Sequence, residues 1–144
     1  ERHSRRIARR IVERRRERPF ETTADLEGSI RQSVPRTADS RRIHPATRVF
    51  QALRIAVNDE LGTFSKFLND APKCLSDGGR VVVVSYHSLE DRLVKQAWKH
   101  HHETGKFKII TKRPLVPSED EVQANPRARS AKMRVLERVG SFQP

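Results

Sequence analysis

Residues 78–92 have the sequence GGRVVVVSYHSLEDR. The Asp-Gly-Gly sequence at 77–79 favours a tight turn, and the four consecutive β-branched valines at 81–84 favour a strand. Because these valines do not alternate with polar residues, the run is typical of a strand covered on both faces, as in a parallel sheet. Ser88 and Asp91 have the spacing of a capping box, which predicts that a helix begins near Ser88.

A long helix is predicted before this strand. Pro45 suits the first turn of a helix, where its missing N–H leaves no hydrogen bond unmade. Apolar residues then recur at spacings of three and four, which indicates one buried stripe over about five turns. The stripe consists of Phe50, Leu53, Val57, Leu61, Phe64 and Leu68.

The segments at the two ends of the chain complete the predicted order of elements. Residues 3–18 predict an arginine-rich helix ended by Pro19, and residues 23–30 a short helix capped by Thr22 or Thr23. The polar, aperiodic residues 33–43 indicate a linker and a domain boundary. After the helix at Ser88, strands are predicted at 106–111 and 132–139, on either side of a short helix that begins at Ser118. The order indicates the end of an open α/β sheet behind a helical piece, with the last two strands as an antiparallel pair at its edge.

Charge points to a polyanionic partner. The net charge is +12, from 30 Lys and Arg against 18 Asp and Glu. Residues 1–18 hold nine arginines against three glutamates, and residues 105–144 hold nine basic against four acidic side chains. Such a surface favours nucleic acid, because each neutralised phosphate releases counterions. Charge alone does not separate RNA from DNA, but no recognition-helix pattern supports a DNA-binding domain.

Several other features bound the class of protein. Cys74 is the only cysteine, which excludes an intrachain disulfide and favours a reducing compartment. No apolar run has the length of a membrane span, so no membrane partner is expected. The sequence begins at Glu1 inside a predicted helix, without an initiator Met, which suggests a cut edge.

Three segments carry a family resemblance. They are HPATRVFQALRIAVNDEL at 44–61, the segment 78–92 quoted above, and PSEDEVQANPRARSAK at 117–132. Together they closely resemble the S-adenosylmethionine-dependent methyltransferases that modify N4 of a cytosine in small-subunit (16S) rRNA. The resemblance extends in order over about residues 1–139.

The resemblance implies a fold, an activity and partners. The fold would be the C-terminal portion of a Rossmann-like class I methyltransferase sheet, preceded by the end of an inserted helical recognition domain. On that interpretation residues 1–43 are the end of the insert plus a linker, and residues 44–144 belong to the methyltransferase domain. The implied partner is small-subunit rRNA in the small ribosomal subunit, in a bacterial cytoplasm or an organellar matrix. The oligomeric state stays open, with a homodimer among the alternatives.

The methyl-donor site is expected in the missing N-terminal part of the family's sheet. The glycines lie at positions 28, 62, 78, 79, 105 and 140, which cannot form a cofactor loop of the G-x-G type. S-adenosylmethionine is therefore the implied cofactor, with its site mainly outside this sequence. A second departure is Tyr86, where the family more often has Phe. This segment alone is expected to be inactive.

Candidate catalytic residues follow the predicted buried strand. Tyr86 and His87 could stack on or hydrogen-bond a flipped-out cytosine; alternatively, the turn merely caps the next helix. Glu90 or Asp91 could accept or align a proton of the poorly nucleophilic cytosine amine. The alternative is that both acids only stabilise the positive end of that helix.

Candidate RNA-binding residues fall in two groups. The first group, on the long helix, consists of His44, Arg48, Gln51 and Arg54. The second group, in the loop before the last strand, consists of Asn125, Arg127, Arg129 and Lys132. Arginine suits bidentate phosphate contacts, although Arg127 or Arg129 could instead bond internally to fix the loop. The histidines at 100–102 have no partner at ligand spacing, so no metal site is expected there and they are predicted to be the solvated end of a helix.

Two functional hypotheses follow. In the first, the parent protein is an rRNA (cytosine-N4)-methyltransferase to which this segment contributes the substrate side. In the second, the chain is a non-catalytic rRNA-binding module that assists ribosome assembly. A glycine-rich loop after a strand upstream of Glu1 would distinguish the enzyme from the binding module.

Overall fold

The computed structural model describes residues 3–35 and 44–140, which belong to two compact units divided between Asp59 and Glu60. The α-helices are α1 (Ser4–Glu17), α2 (Thr23–Ser33), α3 (Pro45–Asn58), α4 (Glu60–Asp70), α5 (Ser88–Glu103) and α6 (Glu119–Ala124). The strands are β1 (Arg80–Ser85), β2 (Phe107–Ile109) and β3 (Lys132–Arg138). Two 3-10 helices, η1 (Ala71–Cys74) and η2 (Pro126–Ser130), complete the described elements.

The first unit is helical. Its core contains Ile7 of α1, Ile30 of α2 and Ala46 of α3. Thr22 caps α2 through a capping box in which Asp25 N–H donates to its hydroxyl and the Asp25 carboxylate accepts from Thr22 N–H. The two predicted N-terminal helices are therefore confirmed. The predicted boundary near residue 43 falls in residues 36–43, outside the described residues, and stays a prediction.

The predicted long helix is wrong as a single element. It is divided between α3 and α4 at Asp59, whose backbone is left-handed with φ 46° and ψ 43°. The apolar stripe correspondingly serves two cores, because Phe50 packs in the first unit and Phe64 and Leu68 pack in the second. Between them Leu53 is 42% exposed and Val57 is 81% exposed.

The sheet of the second unit has the order β1-β3-β2, with β3 antiparallel to both neighbours. The predicted antiparallel pairing of the last two strands is confirmed. The expected parallel surroundings of β1 are not found, since its described partner is the antiparallel β3. The outer strands β1 and β2 run in the same direction as each other, because both are antiparallel to β3.

The described residues cover only one face of this sheet. Val83 is 7% exposed and belongs to the core of the unit with Trp98 of α5 and Leu136 of β3, whereas Val82 and Val84 are 54% and 47% exposed. The valines therefore alternate between a buried and an open face in the described chain. A run of four valines carries no sequence signal of that alternation.

The histidines of α5 are not simply solvated, which corrects the prediction for residues 100–102. His101 is 6% exposed, and its Nε2 lies 3.0 Å from the Leu68 carbonyl oxygen. His102 Nδ1 lies 2.8 Å from the Phe107 carbonyl oxygen. These bonds connect α5 to α4 and β2. Within residues 3–35 and 44–140, no group of three or more His, Cys, Asp or Glu side chains could hold a metal ion. The same residues contain no helix that is both long and apolar enough to span a bilayer.

Candidate nucleic-acid interface

The strand pairing brings two candidate segments to one end of the sheet. Ser85, the last residue of β1, is in register with Lys132, the first residue of β3. The Ser85 hydroxyl is buried and donates to the Lys132 carbonyl oxygen at 3.4 Å. The turn that follows Ser85 and the loop that precedes Lys132 therefore leave the sheet at the same end.

His87, not Ser88, is the N-cap of α5, which corrects the predicted capping box. Its Nδ1 accepts a hydrogen bond from Glu90 N–H at 3.3 Å, and Glu90 Oε2 accepts from the N–H groups of Tyr86 and His87 at 3.0 and 3.3 Å. Ser88 is the first helical residue. The capping box lies one residue earlier because an imidazole nitrogen accepts the bond that a hydroxyl was expected to accept.

This capping box fixes the turn and leaves the Tyr86 ring exposed. Because His87 Nδ1 accepts a hydrogen bond, the neutral ring carries its proton on Nε2. That Nε2 lies 3.1 Å from Glu90 Oε1, but the geometry is not that of a hydrogen bond, and among the described residues it is buried without a hydrogen-bond partner. The Tyr86 side chain is 57% exposed. The turn thus presents the Tyr86 ring to solvent, while the His87 ring is enclosed by its contacts with Glu90.

Asp91 is held by two cations of β3. Arg134 Nε donates to Asp91 Oδ1 at 2.8 Å, and Lys132 Nζ donates to Asp91 Oδ2 at 3.3 Å. The hydrogen bond from Arg134, assisted by the charges of both cations, lowers the pKa of Asp91 below its usual value. A carboxylate held in this way is a poor proton acceptor. Asp91 therefore joins α5 to β3 and does not have the properties of a general base.

Arg134 lies next to the candidate residues through its contact with Asp91, and the sequence analysis did not single it out. Its side chain is 9% exposed, next to Asp91 at 14%. The signal was present, since Arg134 is two residues from the core residue Leu136 and so shares its face of the strand. A cation on a core-facing strand position predicts a buried acidic partner.

The loop before β3 presents two arginines. Asn125 caps η2 by accepting from Arg127 N–H at 3.2 Å, and Ala128 is buried beneath the loop. Both Arg127 and Arg129 are exposed, and among the described residues neither guanidinium has a hydrogen bond or an ion pair. Asn125 and Ala128 therefore fix the loop, not the arginine side chains. Lys132 is not free, because it binds Asp91.

The other candidate group lies in the first unit, on α3. His44 is the N-cap of this helix: its Nδ1 accepts from Ala46 N–H at 3.3 Å, and its Nε2 lies 3.1 Å from Glu27 Oε1. His44 thus has a structural role at the start of α3. Arg48 and Arg54 are exposed, and Gln51 is half-buried.

The described glycines do not form a methyl-donor site. Gly28 and Gly62 lie inside α2 and α4, and Gly78 and Gly79 precede β1 instead of following a strand. A cofactor loop of the Rossmann type connects the end of a strand to the start of a helix. After β1 that position is taken by Tyr86 and His87. The described glycines therefore do not form a donor loop of the G-x-G type.

Comparison with known proteins gives a consistent assignment. Ribosomal RNA small subunit methyltransferase H of Synechococcus elongatus is 55% identical over 139 residues, which is 96% of this chain and 45% of that protein. The protein of the same name from Rhodopirellula baltica is 55% identical over 140 residues, covering 96% of this chain and 42% of its own length. That from Clostridioides difficile is 44% identical over 151 residues, covering 94% and 49% respectively. The chain spans less than half the length of each of these relatives. The sequence profile of the MraW methylase family matches residues 1–139, and the chain belongs to that family.

Proposed function

We propose that this chain is the substrate-side part of an S-adenosylmethionine-dependent enzyme that methylates N4 of a cytosine in small-subunit rRNA. The observation that carries the proposal is the shared end of the sheet, where the exposed Tyr86 and the unpaired Arg127 and Arg129 lie on segments joined by the Ser85–Lys132 pairing. The names of the relatives support the reaction class. An rRNA substrate also places the protein in the compartment of ribosome assembly, for a bacterium the cytoplasm.

The chemistry of this end of the sheet suits an extruded base. Cytosine must leave its stack before its exocyclic amine can be reached. The Tyr86 ring, which is 57% exposed, offers a stacking surface for that base. Arg127 and Arg129 would hold the flanking phosphates. Asp91 accepts hydrogen bonds from Arg134 and Lys132, so we do not propose it as the acceptor of the amine proton.

The Rossmann-like part of the proposal rests on the open sides of the sheet. Among the described strands β1 has a neighbour on one edge only, and its Val82 and Val84 side chains are exposed on the uncovered face. Exposed apolar strands are normally paired or covered in folded proteins. In the longer parent, further strands would continue the sheet beyond β1 and helices would cover the valines.

The arginine loop is tested by the salt dependence of RNA binding. The double variant Arg127→Ala/Arg129→Ala should bind single-stranded RNA more weakly than the unchanged chain. Its slope of log Kd against log salt should fall by about 0.7 per lost phosphate contact. The matched control is Lys99→Ala/Lys106→Ala, which removes the same charge near the far end of α5 and β2. An equal loss of slope in both variants would exclude a specific role of the loop.

The aromatic position is tested separately. Stacking of a base on an aromatic side chain contributes about 1–3 kcal/mol, so Tyr86→Ala should weaken binding of a cytosine-containing RNA by about fivefold or more. Tyr86→Phe retains the ring and should bind within about twofold of the unchanged chain. Fluorescence anisotropy measures both. Full binding by Tyr86→Ala would remove this ring from the base site.

The second candidate function, a non-catalytic rRNA-binding module, is favoured by one observation: the described glycines do not fit a donor site. Calorimetry distinguishes the two. The 144-residue chain should not bind S-adenosylmethionine, whereas a protein of the relatives' full length should bind it and transfer its methyl group to rRNA. Failure of the full-length protein to bind the donor would favour the binding module.

A further inference from the structure

A groove of about 250 Å³ lies between α1 and α2 of the first unit. Its lining includes neutral polar side chains and charged side chains of both signs. The lining residues are Arg10, Arg14, Ala24, Asp25, Gly28, Ser29 and Gln32.

Two arginines form one side of the groove, and several of their N–H groups are available to a ligand. Arg10 Nη2 lies 3.5 Å from Gln32 Oε1. Arg14 Nη1 donates to the Arg18 carbonyl oxygen at 2.8 Å, and its guanidinium carbon lies 5.7 Å from the centre of the Phe20 ring. A guanidinium has five N–H donors, so most donors of both side chains remain for a ligand. The carbonyl and the ring hold Arg14 in place beforehand.

The floor of the groove contains a polar group without a partner. Ser29 is 7% exposed, and its hydroxyl has no hydrogen-bond partner among the described residues. Such buried groups are rare in folded proteins, and each calls for an explanation. A ligand oxygen in the groove would provide one, with a small rotation of the side chain.

Gly28 keeps the same floor open. It lies inside α2, where glycine destabilises a helix relative to alanine. A Cβ atom added at Gly28 would meet nothing within 4 Å, so packing within the described chain does not require glycine there. Close approach of a ligand to the α2 backbone is a reason for glycine at this position.

Asp25 adds an acceptor beside the two arginines. Its Oδ2 accepts from Thr22 N–H and Glu21 N–H, and because a carboxylate has about four acceptor positions, the group keeps capacity for a further hydrogen bond. The hydrogen bonds from Thr22 lower the pKa of Asp25, so the carboxylate is charged at neutral pH. A bare phosphate would be repelled by this charge, whereas a ribose hydroxyl would donate to it.

We propose that the α1–α2 groove is a subsite for one ribose-phosphate unit of an RNA strand. Arg10 and Arg14 bind the phosphate oxygens, and the Asp25 carboxylate accepts a hydrogen bond from the 2′-hydroxyl. This hydroxyl is the group by which a protein distinguishes RNA from DNA at a given position. The inference rests on the proposed RNA substrate and adds a second contact region, on a different unit from Tyr86 and Arg127.

The arginine side of the groove is tested with the 144-residue chain and a single-stranded RNA. Arg10→Ala/Arg14→Ala should lower the affinity by about tenfold, since charge-assisted contacts to phosphate are lost. The matched control Arg5→Ala/Arg9→Ala removes two exposed arginines of the same helix, at the same spacing, that do not line the groove. It should have a clearly smaller effect. Equal losses of RNA affinity in both variants would mean that the arginines act only through general charge attraction, and would overturn the proposal.

The role of the Asp25 carboxylate is tested by comparing the affinity for a single-stranded RNA with that for a DNA of the same sequence. Both oligonucleotides contain uracil, so they differ only in the 2′-hydroxyl. The unchanged chain should prefer RNA by about tenfold, as expected for a hydrogen bond to a charged group. Asp25→Asn should reduce that preference, and it should bind DNA at least as well as before because the charge that repels phosphate is lost. Thr22→Ala disrupts the same capping box without altering the groove lining, and it should retain the preference. Retention of the preference by Asp25→Asn would overturn the ribose contact.

Filling the groove provides a test that does not weaken the helix. Gly28→Leu replaces a poor helix former by a good one, so α2 should be at least as stable while RNA binding falls. Undiminished binding would overturn the subsite. If only the variants of Arg127 and Arg129 affect binding, the subsite fails and the proposed function stands. If the unchanged chain binds no RNA, the proposed RNA substrate fails with it.

Discussion

The contact between Asp91 and Arg134 is the residue-scale feature with the clearest energetic consequence. Asp91→Asn would leave the largely buried guanidinium of Arg134 without its countercharge. Removal of one partner of a fully buried pair costs about 3–5 kcal/mol, so about 2–3 kcal/mol is expected at this partly solvated site. Urea denaturation of the 144-residue chain at neutral pH measures the loss. The matched control is Asp70→Asn, whose partner Lys73 is 64% exposed, and it should change stability little.

The same pair predicts a pH dependence with a defined sign. Because hydrogen bonding to Arg134 lowers the pKa of Asp91 in the folded state, its contribution to stability is complete above the ordinary value of 3.8. The contribution is lost as the pH falls from that value through the lower folded pKa. The difference in unfolding free energy between the unchanged chain and Asp91→Asn should therefore be constant from about pH 5 to about pH 7. It should shrink in stronger acid. A difference that grows on acidification would contradict the ion pair.

The sequence predicted some residues of the candidate site and not others, for reasons that differ from residue to residue. Tyr86, His87 and the 125–129 loop were predicted as site residues because a motif and a resemblance point to them. The roles of His87 and Ser88 were exchanged, because sequence patterns favour hydroxyls as N-caps and give no weight to a ring nitrogen in the right place. Arg134 was not predicted because the two-residue alternation along residues 132–139 was applied only to the apolar side chains. The same alternation also places Arg134 on the buried face of the strand.

At the scale of elements, Asp59 separates α3 from α4. A left-handed backbone is strained for most residues other than glycine, although aspartate tolerates it better than most. Asp59→Gly should therefore leave stability unchanged or raise it by up to about 1 kcal/mol, whereas Asp59→Val should lower it by about 1 kcal/mol or more. Thermal unfolding monitored by circular dichroism measures both.

A gain in helicity and stability on substitution of Asp59 would contradict the break between α3 and α4. If Asp59→Ala increased both helicity and stability, the two helices would be one continuous element, as the apolar spacing predicted. The sequence could not locate the break, because Phe50, Phe64 and Leu68 keep one helical period across it. The break follows from where these side chains are buried, and a linear pattern does not contain that information.

At the scale of the whole molecule, the sheet order could not be predicted, although its strands could. The sequence indicated the strands around 81–84, 106–111 and 132–139, and all three exist. It did not indicate that the last strand lies between the other two. Insertion of β3 between β1 and β2 depends on side chains from distant segments, such as the contact of Arg134 with Asp91, which no local pattern reports.

The open face of β1 yields the prediction that tests the molecule as part of a larger protein. In the 144-residue chain Val82→Thr/Val84→Thr should leave thermal stability almost unchanged, because both side chains are about half exposed. It should also reduce self-association in sedimentation velocity, since exposed apolar strand faces promote association. In a protein of the relatives' full length, the same pair should cost about 2–4 kcal/mol, because there the valines would be buried. Val83→Thr, which alters the buried face, should destabilise both proteins. If the double variant were harmless in the longer protein too, its additional residues would not cover this face, and the proposed continuation of the sheet would be wrong.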